Sequence, residues 1–217
     1  MKATAAIRTP TRKQVLTDMR RKEILAAAIK VFGKKGFAAT CVGDVADAAK
    51  IAKGTVYLYF ESKEEIYATA VQLAVAQLQE VAAERIRLVK GVRERLAVAI
   101  AVRMEFWHDQ LNLYRLLLTV GREARHKRQT NEVLRSGHAY FLSILEEGAL
   151  AGELEQRDFD TIAWAILDMI RGCNERRMDN LTARTPQQDA EAITAFALQQ
   201  LGLHDLTTSA NSPSACE

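Results

Sequence analysis

Apolar residues recur along most of this chain at spacings of three and four rather than in alternation, a pattern that predicts helices and little strand. A first stripe runs through Ile24, Ala27, Ala28, Val31 and Phe32. Thr17 or Asp18 is placed to cap its start, and Gly36, after Lys34 and Lys35, to end it. A shorter stripe follows at Val42, Val45, Ala46 and Ala49, with Thr40 as its expected cap. Lys50 and Ile51 interrupt it, and Val56 with Phe60 makes another short apolar edge. Two short helices joined by a tight turn read as a helix-turn-helix. Ser62-x-x-Glu65 is a capping signature opening a long helix with Ile66, Ala70, Leu73, Ala74, Gln77, Leu78 and Val81 on one face. Five more helices are predicted over Val92–Asp109, Leu111–Thr119, Thr130–Ala151, Phe159–Met178 and Pro186–Leu201. Gly152 marks a stop, Asp158 a cap, and Thr185-Pro186 a start, because proline suits the first helical position.

The expected fold class is therefore all-α: an N-terminal three-helix helix-turn-helix unit followed by a larger helical bundle, about nine helices in total. The expected domains are a flexible basic arm over 1–16, the helix-turn-helix unit over 17–65, a second helical domain over 66–203 and a disordered tail over 204–217.

Charge adds a direction to this picture. The net charge is only +3, but residues 1–60 hold twelve Lys and Arg against four Asp and Glu, whereas the remainder holds eighteen against twenty-three. A front end at +8 and a remainder at −5 point to a polyanionic partner for the front end alone. Cys41, Cys173 and Cys216 form no C-x-x-C pair, so neither a disulfide framework nor a zinc module is indicated, and a reducing cytoplasm is the expected compartment. No stretch approaches the roughly 20 apolar residues of a membrane-spanning helix. No cofactor or metal site is read. His108, His126, His138 and His204 stand in no catalytic constellation, and there is no phosphate loop or nucleophile elbow, so the chain does not read as an enzyme.

The stretch from Thr40 to Ile66, TCVGDVADAAKIAKGTVYLYFESKEEI, carries the specific signal. With Ile24, Phe32, Val45, Ala46, Ile51, the run Lys53-Gly54-Thr55-Val56-Tyr57, the Tyr59-Phe60 pair and Ser62-Lys63 before two glutamates, it resembles the DNA-binding domain of the TetR/AcrR family of bacterial regulators. Read physically, Val56 and Phe60 face the core of the second short helix, leaving Lys53, Gly54, Thr55, Tyr57 and Leu58 outward to enter a major groove roughly 12 Å wide. The resemblance implies that these positions match the family's recognition helix. Thr40, Tyr59 and Lys63 are expected at phosphates, where helix starts attract anions, and Arg8, Arg12, Lys13, Arg20, Arg21 and Lys22 are placed to reach flanking DNA. Three departures stand out: Ala52 where the family usually has a capping serine or threonine, Lys50 where it often has glycine, and Gly43 where it often has a polar helix former. Cys41, beside Thr40, raises a redox question that its residue type alone does not answer.

For the second domain the resemblance implies an unidentified small-molecule effector and a homodimer, placing two recognition helices on a pseudo-palindromic double-stranded DNA operator. Met104, Trp107, His108, Tyr114, Tyr140, Phe141, Trp164 and Asp168 are the candidate pocket residues, weighed against plain core for each. Asp168 has a second reading, an ion pair with Arg171. The candidate dimer seam uses Leu167, Ile170, Arg171, Ile193, Phe196, Ala197 and Leu201, whose stripes otherwise leave an exposed apolar patch. The expected function is a ligand-released repressor; the alternative is a DNA-bound scaffold governed by a protein partner.

Overall fold

The computed structural model describes residues 11–121 and 126–203. Among these residues there are nine helices and no strand: α1 (Arg12–Lys35), α2 (Val42–Ala49), α3 (Lys53–Tyr57), α4 (Lys63–Ile86), α5 (Val92–Asp109), α6 (Leu111–Val120), α7 (Lys127–Leu150), α8 (Phe159–Met178) and α9 (Pro186–Gln200). Arg8, Cys216 and the expected tail lie outside the described residues. None of the described helices is long and apolar enough to cross a membrane.

The first helix starts earlier than its apolar stripe suggests. Thr11, not Thr17 or Asp18, is the N-cap: its hydroxyl accepts from the Gln14 amide at 3.3 Å, and the Gln14 side chain accepts from the Thr11 amide at 2.8 Å. Residues 12–16 are therefore helical rather than part of an arm. They are exposed and carry no buried stripe, so periodicity could not mark them. Gly36 ends α1 at φ 83°, which favours glycine. Further along, Asp158 caps α8 through the Thr161 amide at 3.1 Å, and Thr185 caps α9 through the Gln188 amide at 3.2 Å with Pro186 at its first position.

The chain forms two compact units. The first contains the residues up to Ala74 together with α6 from Asn112, and the second contains Val75–Leu111 with α7, α8 and α9. In the first, α1 packs on α2 and α2 on α3. Ile24, Phe32, Val45, Val56, Phe60 and Ile66 are fully or almost fully buried, with Phe37 bridging Phe32 and Tyr67 at ring separations of 5.0 and 5.6 Å.

In the second unit α5 is the central helix, packed against α7, α8 and α9. Its Leu96, Ile100 and Met104 share one core with Phe141, Ile144, Leu145, Ile166 and Ile193. The Glu153 carboxylate accepts from the Val92 amide at 2.6 Å and so supplies the anion that the N-terminus of α5 attracts. At Gly148 a Cβ would lie 2.8 Å from a methyl of Val92, so only glycine admits this approach of α7 to α5.

That core corrects the expected dimer seam. Leu167, Ile170, Ile193, Ala197 and Leu201 are all buried within the single chain, at 6 % exposure or less. Their stripes are covered by the chain's own neighbouring helices, leaving Arg171 and Phe196 as the exposed members of the set.

Candidate nucleic-acid interface

The helix-turn-helix is built from α2, a tight turn and α3. Lys50 closes α2 in the left-handed conformation, φ 56°, with its amide on Ala46 and Asp47 carbonyls. That backbone state favours glycine, which gives a physical reason for the glycine the family often has there. Ala52 occupies the N-cap of α3 with extended backbone and no side-chain acceptor. Ala52→Ser is accordingly expected to stabilise the first unit by about 1 kcal/mol; a thermal midpoint no higher than that of the unmodified chain would count against the missing cap.

Val56 and Phe60 are buried, while Lys53 and Gly54 are exposed and Thr55 is half-buried. Tyr57 is 48 % and Leu58 81 % exposed, unusual for such large apolar surfaces. The Lys53 ammonium lies 6.0 Å from the centre of the Tyr57 ring, so a cation, a phenol and the bare backbone of Gly54 share one outward face.

Two residues expected at phosphates are turned elsewhere. Thr40 is 2 % exposed, and its hydroxyl donates to the Gly36 carbonyl at 2.7 Å rather than capping α2. The N-cap of α2 is Cys41, whose amide donates to Asp44 at 2.7 Å. That amide, with the Lys35 ammonium at 2.7 Å, lowers the Asp44 carboxyl to a pKa of about 2. Lys63 donates to the carbonyls of Phe37, Ala38 and Thr40, so its ammonium faces backbone and not solvent. Tyr59 is half-buried, and its carbonyl accepts from Arg21 at 2.7 Å. The Arg21 guanidinium also lies 4.3 Å from the Phe60 ring centre, fastening α1 to the end of α3. The Ser62 signature is present in altered form: Ser62 accepts from the Glu65 amide at 3.1 Å, but the Glu65 carboxylate takes the Glu61 amide instead.

The residues expected around an effector fall into distinct environments. Met104, Trp107 and Phe141 are buried in the second unit, and Tyr114 is buried in the first. Trp164 is half-buried and stacks on His138 at 4.3 Å, with the His138 ring 3.1 Å from an Asp160 carboxylate oxygen. Asp168 is exposed and pairs with Arg171 at 3.5 Å, so it is a surface residue and not part of an interior pocket. His108 Nδ1 and the Tyr140 hydroxyl are buried without a hydrogen-bond partner. Burial raises the Tyr140 phenol pKa, while Arg103 and Arg95 oppose that shift.

Arg103 itself was not read from the sequence. It is 8 % exposed, sits 5.7 Å from the Phe141 ring centre, and approaches Gly137 so closely that a Cβ there would lie 2.6 Å from its guanidinium. Its only sequence signal is a cation within the apolar run Leu96–Met104.

Comparison with known proteins places this geometry. The profile of the tetR family of bacterial regulatory proteins matches residues 24–70, the segment that carries α2, α3 and their supports. Those residues carry the TetR family's DNA-binding segment. The relatives and solved structures that the chain resembles are transcriptional regulators. Over 187 residues, 84 % of this chain and 95 % of the relative, it is 28 % identical to the fatty acid metabolism regulator protein of Bacillus subtilis (strain 168). It is 32 % identical over 100 residues, 46 % of each chain, to the transcriptional activator FasR of Mycolicibacterium smegmatis. The fatty acid degradation regulator FadR of Bacillus halodurans has the same fold with a TM-score of 0.77, at 19 % identity over 89 % of this chain and 98 % of that one. FadR of Bacillus subtilis, solved in complex with stearoyl-CoA, superposes with a TM-score of 0.75 at 22 % identity over 85 % of this chain and 99 % of that one.

Proposed function

We propose that this chain is a dimeric repressor of the TetR family that reads a pseudo-palindromic operator through Lys53, Gly54, Thr55 and Tyr57 and is released by a fatty acyl thioester bound in its second unit. The observation that carries the DNA reading is the outward face of α3, where a half-exposed Tyr57 and an 81 % exposed Leu58 stand beside Lys53. Aromatic and aliphatic side chains kept in water at the tip of a helix-turn-helix suit contact with base edges and thymine methyls.

The effector class is supported by the full-length relative named for fatty acid metabolism and by the stearoyl-CoA complex of a protein with the same fold. The interior chemistry suits such a ligand. The Tyr140 hydroxyl and a His108 nitrogen lie unsatisfied inside an apolar unit that also buries Arg103, and a polar group on an incoming ligand satisfies atoms whose isolation costs free energy. Binding that favours one dimer spacing over another then shifts the protein off its operator.

Pairing between copies is assigned to the exposed side of α8 and α9. Phe196, Met169, Gly172 and Arg176 line a groove of about 560 Å³ there, with Asp168 and Cys173 beside them. No observation favours the scaffold alternative.

The test begins with a duplex that the protein selects from a randomised pool. Tyr57→Ala is expected to lose at least about a hundredfold in affinity for that duplex, of the order of one good base contact together with its neighbours, while light scattering still reports a folded dimer. Stearoyl-CoA is expected to release the unmodified protein from the same duplex. Nanomolar binding retained by Tyr57→Ala would overturn the assignment of α3, and indifference to every acyl-CoA would overturn the effector class.

A further inference from the structure

We infer that Lys63 is a positioning residue for DNA reading, a clamp that fixes the turn before α2 and through it the pose of α3, and not a phosphate contact. The inference rests on the DNA-binding reading above. Residue type and place suggest the opposite, because a lysine at the first position of a helix beside a serine resembles an anion site.

The geometry decides otherwise. The Lys63 ammonium donates to Phe37 O at 2.9 Å, Ala38 O at 3.1 Å and Thr40 O at 2.9 Å. An ammonium has three donors, so these carbonyls fill its capacity. It also sits 4.9 Å from the centre of the Phe37 ring, whose face favours a cation. A phosphate oxygen can gain this nitrogen only by displacing one of these partners.

The clamped carbonyls belong to the segment between Gly36 and Cys41, beyond the end of α1, where helical partners have run out. Within that segment the Thr40 amide donates to Phe37 O at 3.3 Å and the Thr40 hydroxyl to Gly36 O at 2.7 Å. Lys63 completes the set from the first turn of α4. The turn it closes delivers the chain directly into α2, and α2 packs on α3. Arg21 does the corresponding work at the far end, tying α1 to the Tyr59 carbonyl and the Phe60 ring. The reading helix is thus held at both sides by cations that a charge count assigns to DNA.

Salt dependence separates the two roles, since each phosphate contact given up lowers the slope of log affinity against log salt by about 0.9. Unmodified protein, Lys63→Met and Lys53→Met are compared on the selected duplex over a salt series, with hydrogen exchange followed at the amides of residues 37–41. Lys63→Met is expected to weaken binding at least about tenfold, the equivalent of one imperfect base contact, at an unchanged slope and with faster exchange in that turn. Lys53→Met serves as the comparator, expected to show a shallower slope with exchange at 37–41 unaltered. A shallower slope for Lys63→Met with unchanged exchange overturns the inference, as does wild-type affinity. Should Lys63→Met unfold the first unit, Lys63→Arg carries the test. Its planar fork does not reproduce three carbonyl bonds, so affinity falls at constant slope, whereas an arginine on a phosphate keeps wild-type binding and overturns the clamp. An unmodified chain that selects no duplex overturns the DNA reading and this inference with it; a chain that binds, with Lys63→Met behaving as a lost phosphate contact, overturns this inference alone.

Discussion

Asp189→Ala is expected to destabilise the second unit by about 3–5 kcal/mol, the cost of stranding buried charge partners, and to lower its thermal midpoint by roughly 10 °C or more. Asp189 is 4 % exposed in the first turn of α9. One carboxylate oxygen pairs with Arg177, itself nearly buried, and the other accepts from Arg184 Nε at 2.7 Å. Arg177 also donates to the buried Asn174 at 3.0 Å, so one aspartate anchors the end of α8, the connecting loop and the start of α9. Removing it leaves the nearly buried Arg177 guanidinium without its carboxylate partner. Differential scanning calorimetry reads the effect, and a shift below about 2 °C would show the cluster to be no more than a surface pair.

Phe141→Ala is the second large expected effect, about 3–5 kcal/mol from lost burial and the cavity left behind. Phe141 has no exposed surface and joins the core shared by α5, α7, α8 and α9. Its ring also supports the Arg103 guanidinium, so the substitution removes the face on which a buried cation rests. Urea unfolding followed by circular dichroism should show a lower midpoint at an unchanged slope. A loss under about 1 kcal/mol would mean that the site collapses around the missing ring, as the wall of an adaptable pocket does and a tightly packed core does not.

The helices were legible because burial imposes a period on the sequence and caps punctuate it. α5 and α8 carry the bounds that their stripes predict, and Gly36, Asp158 and Thr185 act as read. The start of α1 was missed because its first turns touch no core, leaving only Thr11 and Gln14 as a signal. Five of the seven residues expected at the seam were misread for a different reason. An apolar stripe states that a helix is covered and not by what, and the stripes of α8 and α9 are covered within the chain. Asp168 interrupts an apolar run in the linear sequence yet lies on the solvent side of its helix, beside Arg171. At the helix-turn-helix, Val56 and Phe60 fix which side of α3 faces outward, and spacing alone revealed it. Thr40, Lys63 and Arg21 were legible as polar residues near a candidate DNA surface, but the direction of a hydroxyl or an ammonium depends on carbonyls 4 to 38 positions away in sequence. Arg103 stayed hidden because a lone cation among apolar residues gives no sign of whether it leaves the helix toward water or the interior.

The closed interior of the second unit bears on how such regulators diversify. With Leu167, Ile170, Ile193, Ala197 and Leu201 committed inside one chain, none of these side chains needs a second copy to cover it. Exposed residues such as Phe196 and Arg171 are then free to change without endangering solubility or yield. Under the proposed pairing through this outward surface, a duplicated gene can drift toward pairing only with its own product through a handful of substitutions there, keeping sibling regulators in one cell from forming mixed assemblies.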